Sequence, residues 1–137
     1  MNPPILGSDG SKRWFNEHDQ LHRTDGATFI SSTGYKSWQF NGKLHRLDGP
    51  AIIYPNGDQF WYLNGNQHRA DGPANVCTNG YRAYWFNDKL HRTDGPAVIR
   101  SDGTKEYWIH DNQLTEEQYY DITQSEEHLN WYLLKIL

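Results

Sequence analysis

Cysteine is nearly absent from this 137-residue chain: Cys77 stands alone, so no intramolecular disulfide can form and a reducing, cytoplasmic setting is the expectation. Long hydrophobic runs are missing too. No stretch reaches the length of a signal-peptide core or a membrane span, which sets aside membrane insertion. Large aliphatic side chains are sparse, whereas aromatic residues make up 15% of the chain, so the core has to be built from rings. An excess of positive charge is also lacking, with 13 Lys and Arg against 17 Asp and Glu and a net charge of −4. The imbalance is local: residues 1–109 carry 12 basic and 11 acidic side chains, and residues 110–137 carry 1 and 6. A near-neutral body does not suit broad binding of a phosphate backbone, which needs clustered cations, so nucleic acid is a disfavoured partner.

What is abundant is one motif. His-Arg-x-Asp-Gly occurs at residues 22–26, 45–49, 68–72 and 91–95, a period of 23 residues without slippage. A fixed period of this kind marks a repeat architecture. Pro50-Ala51, Pro73-Ala74 and Pro96-Ala97 follow the motif, with Ile53, Val76 and Ile99 two residues beyond the alanine; the first unit has Thr28 and Ile30 instead. Small and β-branched residues at i and i+2 predict one face of a strand. Glycine-containing turns such as Pro55-Asn56-Gly57-Asp58 come next, then an aromatic strand: Ser37 to Phe40, Phe60 to Leu63, Tyr84 to Phe86 and Tyr107 to Ile109. A second turn leads to the next His-Arg: Asn41-Gly42, Asn64-Gly65, Asn87-Asp88 and a degraded His110-Asp111. Asn-Gly between strand-like runs is a strong hairpin signal. The unit has no room for a crossover helix, so neighbouring strands must pair antiparallel. It is also too short for a propeller blade. Residues 1–7 read as a loose lead-in, and residues 8–26 as a degenerate capping unit with Glu17-His18-Asp19 inserted in its turn.

The pattern stops at residue 113. Thr115 with Gln118 forms a capping box, Glu116 and Glu117 suit a helix N-terminus, and Ser125 is a second N-cap. Leu129, Tyr132, Leu133 and Ile136 then follow helical spacing, and Trp131 and Leu134 widen that stripe. Two roles are open for it: a lid over the last hairpin, or a homodimer contact. The expected fold is thus all-β, a single domain over residues 1–137. Residues 8–113 form an antiparallel β-hairpin repeat array and residues 114–137 a C-terminal helical cap.

The 23-residue period, the Gly-x-x-x-Trp strand and the Asn-Gly turn resemble MORN repeats, which are stacked β-hairpins. The pattern Asp-Gly-x-x-x-Trp-Tyr-x-Asn-Gly-Lys-x-His-Arg-x-Asp-Gly-Pro-Ala resembles more closely an uncharacterised MORN-like repeat of phages and large viruses, over roughly residues 8–120. The resemblance implies a scaffold or binding surface without shared catalytic residues, and its viral flavour implies a small inhibitor of a host complex. Because His-Arg-x-Asp-Gly-Pro stands where MORN proper has a second Gly-rich turn, a lipid-binding role is not carried over.

The candidate binding residues are His45, Arg46, His68, Arg69, His91 and Arg92, with Trp38, Trp61, Trp85 and Trp108 on the aromatic strands. Asp25, Asp48, Asp71 and Asp94 read as structural partners of the arginines two positions earlier, able also to take backbone N–H groups of the Gly-Pro turn. In that reading each histidine donates to a carbonyl of the adjacent unit. Three other readings compete. A metal site needs converging ligands, which a straight ladder does not supply. An anion or nucleotide site needs the arginines free of their aspartates. Catalysis needs unlike residues in unlike roles, and identical units offer the same set each time. Cys77 occupies the variable position of Ser31, Tyr54 and Arg100, which suits a packed or surface thiol. The expectation is therefore a binding protein with no catalytic residue, metal or cofactor, whose partner is another protein. The alternative is a binder of a phosphate-bearing small molecule or nucleic acid through the His-Arg ladder.

Overall fold

A computed structural model describes residues 2–137. Eleven short strands form one antiparallel meander in chain order. They are Ile5–Leu6, Lys12–Arg13, Phe29–Ile30, Lys36–Ser37, Ile52–Ile53, Gln59–Phe60, Asn75–Val76, Arg82–Ala83, Val98–Ile99, Lys105–Ile109 and Asn112–Leu114. Three further hairpins stand beside this sheet: Gln39–Phe40 with Lys43–Leu44, Tyr62–Leu63 with Asn66–Gln67, and Trp85–Phe86 with Lys89–Leu90. Each repeat therefore contributes two hairpins, and the array is all-β with a helical end. No helix is long and apolar enough to cross a membrane.

The aromatic strand expected as one piece changes partner at its middle residue. The Trp61 N–H donates to Ala74 in the main sheet (2.8 Å), while its carbonyl accepts from His68 N–H in the outer hairpin (3.2 Å). Trp38 behaves in the same way with Ala51 and His45. Local turn chemistry sets both hairpins. Gly57 has φ 96° and closes the first turn, its N–H donating to the Tyr54 carbonyl. The second turn has two successive left-handed residues, Asn64 (φ 50°) and Gly65 (φ 84°), the twist that matches paired strands. Where aspartate replaces that glycine, its side chain is used. Asp88 accepts from Gln67 N–H and Asp111 from Leu90 N–H, both at 2.7 Å, which ties the turn to the preceding unit. The His110-Asp111 turn is thus intact.

Two expectations at the N-terminal end change. Ile5–Leu6 is not a loose lead-in but the edge strand, paired with Lys12–Arg13. The first unit's turn is anchored by Asn16, whose Oδ1 accepts from the His18 and Gln20 N–H groups. With Phe15 bridged to Leu21, the loop holds one residue more than the Gln39-to-Leu44 loop, not three. At the other end α1 (Glu116–Thr123) and α2 (Glu126–Ile136) close the array, and the capping box at Thr115 is formed. Tyr107, Ile109 and Tyr119 make a buried cluster there, with Leu129, Tyr132, Leu133 and Ile136 packed on it.

Candidate functional site

Each His-Arg-x-Asp-Gly segment is a loop whose arginine lies flat over the sheet. The Arg69 Nε donates to Asp71 (3.1 Å), its Nη1 donates to the Pro73 carbonyl (3.1 Å), and its guanidinium stacks on Trp61 at 4.0 Å. Arg23, Arg46 and Arg92 repeat this with Asp25, Asp48 and Asp94, over Trp14, Trp38 and Tyr84. The motif glycine is needed for space: a Cβ at Gly72 would lie 3.0 Å from the Arg69 Cζ. The guanidinium is thus held between ring and glycine, where desolvation strengthens a cation–π contact. Arg46 holds the Asp48 carboxyl below its ordinary range through the hydrogen bond and its charge. Among the described residues no backbone N–H of the Gly-Pro turn donates to these aspartates, so that part of the expectation is not met.

The histidines act in the opposite sense to the one expected. Each accepts, through Nδ1, from the backbone N–H of the left-handed residue in the next unit's turn: His22 from Asn41, His45 from Asn64, His68 from Asn87 and His91 from His110, at 3.0–3.2 Å. This bond requires Nδ1 unprotonated, so the proton sits on Nε2. His91 carries the largest consequence. Burial, with the nearby His110 charge, lowers its pKa to about 4 from 6.5. Below pH 6.5 the unfolded chain takes a proton that the folded one refuses until about pH 4. Stability should therefore fall as pH drops through that window, by about 1–2 kcal/mol because solvent still reaches the ring. Urea titrations across the window check this, and a His91→Leu protein should be less stable throughout but show a flatter dependence.

The four tryptophans do not form one row. Counting 23 residues from Trp38 and Trp61 reaches Tyr84 and Tyr107, so Trp85 and Trp108 are one residue out of phase. A shift of one flips a side chain to the opposite face. Trp38 and Trp61 lie under arginines; Trp85 and Trp108 point the other way, with Tyr62 and Gln39. There Trp108 Nε1 donates to Glu106 (3.1 Å), two residues before it. Trp85 has Ala83 in that place, and its buried Nε1 has no partner.

Shallow grooves separate successive loops. The groove between the Arg23 and Arg46 loops, ≈ 820 Å³, is lined by Trp38, Phe40, His45 and Leu47 among others. The groove between the Arg69 and Arg92 loops, ≈ 480 Å³, has Ala70 and Thr93 at its loop tips instead. Leu47 is 84% exposed, and Phe40, stacked between His22 and His45, is 44% exposed. Leu47 carries a signal the motif count passes over, namely a large apolar side chain at the one motif position that varies. Elsewhere, burial and the Asp58 carboxylate raise the Cys77 pKa, which keeps the thiol protonated. No cluster of three or more His, Cys, Asp or Glu with metal-binding geometry occurs among the described residues. No protein-family model matches the chain, and no curated protein does.

Proposed function

We propose that this protein is a non-catalytic repeat array that binds another protein, with the loop ridge around Phe40 and Leu47 as the contact. The observation that carries this is the exposure of Phe40 and Leu47 at the mouth of the ≈ 820 Å³ inter-loop groove. A solvated scaffold has no need of apolar side chains there, and apolar anchors in shallow pockets are what protein interfaces use. The MORN-like resemblance agrees with a binding surface, and its viral flavour makes a host complex the partner of choice. The anion alternative fits less well, because every ladder arginine already has a carboxylate, a carbonyl and a ring. A second reading concerns α2: Trp131 (62% exposed), Leu134 (81%) and Leu137 lie outside the lid contact, with Glu126 and Glu127 in its first turn and Lys135 in its last. Two copies of α2 packed antiparallel would cover the apolar residues and pair those opposite charges.

Intact-mass analysis of what co-purifies from host extract tests the main reading. A protein retained by the wild type and lost on Phe40→Ser with Leu47→Asp is the expected result. Both sites are exposed, so these changes should leave stability within about 1 kcal/mol. Recovery of a nucleotide or nucleic acid instead, or equal retention by the variant, sinks it.

A further inference from the structure

Cross-strand partners share a face, so the register alone defines what the open side of the eleven-stranded sheet presents. Lys12 faces Ile30, which faces Lys36, which faces Ile53. After Gln59 the order continues as Val76, Arg82, Ile99 and Lys105. One cation therefore recurs on every second strand, with an aliphatic residue between, and only Gln59 interrupts the series. The opposite face, with Ser37, Ile52, Asn75, Ala83 and Val98, is buried.

The charges on the open face are available. The ladder arginines and Arg100 are paired with carboxylates, whereas Lys12, Lys36, Arg82 and Lys105 are in no ion pair among the described residues. Arg82 Nη1 donates only to the Cys77 and Tyr81 carbonyls. Among the described residues the neighbouring acids make no ion pair with the row. Asp9, Asp58 and Asp102 take the N–H groups of Ser11, Thr78 and Thr104, and Glu116, beside Lys105, accepts from the Tyr107 hydroxyl. Lys12, Lys36 and Lys105 are exposed. Of the eight cations in no ion pair among the described residues, four, Lys12, Lys36, Arg82 and Lys105, thus stand in one row on a protein of net −4.

The spacing selects the ligand. Two strand steps place the cations about 9.6 Å apart. Seven residues of α-helix advance about 10.5 Å, so a helix laid across the strands can set one carboxylate over each cation. Residues three or four positions on would meet Ile30, Ile53, Val76 and Ile99. A nucleic-acid strand fits worse. Its phosphates recur about every 3.4 Å of rise, which leaves charge over the aliphatic residues, and the row has no ring on which bases could stack. We propose that this face docks an acidic amphipathic helix of a partner protein, at a surface separate from the Phe40–Leu47 ridge and independent of it.

The probe is a synthetic helical peptide of about 30 residues, long enough for five heptad positions to cross the row, with Glu at every seventh position and Leu between. Binding to the full chain is followed by fluorescence anisotropy at low ionic strength. Lys36→Glu with Lys105→Glu, both exposed positions, should weaken binding by at least about tenfold. Lys43→Glu with Lys89→Glu, in the strands of the outer hairpins, should weaken it less than about twofold, and circular dichroism should show all three proteins folded alike. A peptide that does not bind, equal losses in both variants, or an oligothymidylate that binds as tightly as the peptide would each overturn the proposal.

Discussion

Arg69→Ala should destabilise the array by about 2–4 kcal/mol, and Asp71→Ala by only a small fraction of that. The two residues form one ion pair, yet their surroundings differ. The Asp71 side chain is 86% exposed, and such pairs contribute little because water competes with the partner. Arg69 additionally satisfies the Pro73 carbonyl and covers the Trp61 ring with its guanidinium and stem. Removing it uncovers the ring and strips a charged donor from the loop. Arg69→Lys should recover less than half of the loss, since an ammonium cannot present the planar fork that reaches Asp71 and the carbonyl together. Urea unfolding of the three variants reads this directly. An Asp71→Ala cost equal to that of Arg69→Ala would mean that the ion pair, not the stacked guanidinium, holds the loop.

The units were readable because their causes are local. Asn64-Gly65 needs two left-handed residues in succession, and the Arg69–Asp71 pair spans two positions, so neither depends on the rest of the chain. The histidine role was not readable in this way. His45 accepts from Asn64, 19 residues downstream, and this bond exists only once consecutive turns are stacked. The tryptophan row failed for a different reason. Tyr84-Trp85 and Tyr107-Trp108 resemble Phe60-Trp61-Tyr62 by residue type, and matching types overrode the strict 23-residue phase that places Tyr84 and Tyr107 under the arginine position. The cation row shared that fate. Lys36, Arg82 and Lys105 stand two residues before Trp38, Tyr84 and Tyr107 at constant phase, but a count of net charge averages them against the aspartates of the loops and turns. Exposure of Leu47 depends on which way its loop tip points, which no periodicity specifies.

Tyr119 should be the side chain on which the helical end depends. Its ring is 1% exposed and lies 4.8 Å from Tyr107; its hydroxyl donates to the Arg92 carbonyl (2.8 Å) and accepts from Gly95 N–H (3.0 Å). It thereby satisfies the last His-Arg loop, which has no further His-Arg loop beside it. Tyr119→Phe leaves both backbone groups unpaired and should cost about 1–3 kcal/mol. Tyr119→Ala opens a cavity as well and should cost about 3–5 kcal/mol. Removal of residues 116–137 goes further by exposing Tyr107 and Ile109, and it should lower solubility and broaden the unfolding transition as the end repeat frays ahead of the others. Sedimentation separates this lid role from pairing through α2. If Trp131 and Leu134 join two copies, the full chain sediments as a dimer, and Trp131→Ser with Leu134→Ser yields a monomer of unchanged stability. A lid alone gives a monomer throughout, with the stability loss confined to Tyr119 and the truncation. A truncated chain as soluble and as stable as the full one would contradict the lid, since Tyr107 and Ile109 would then need no cover.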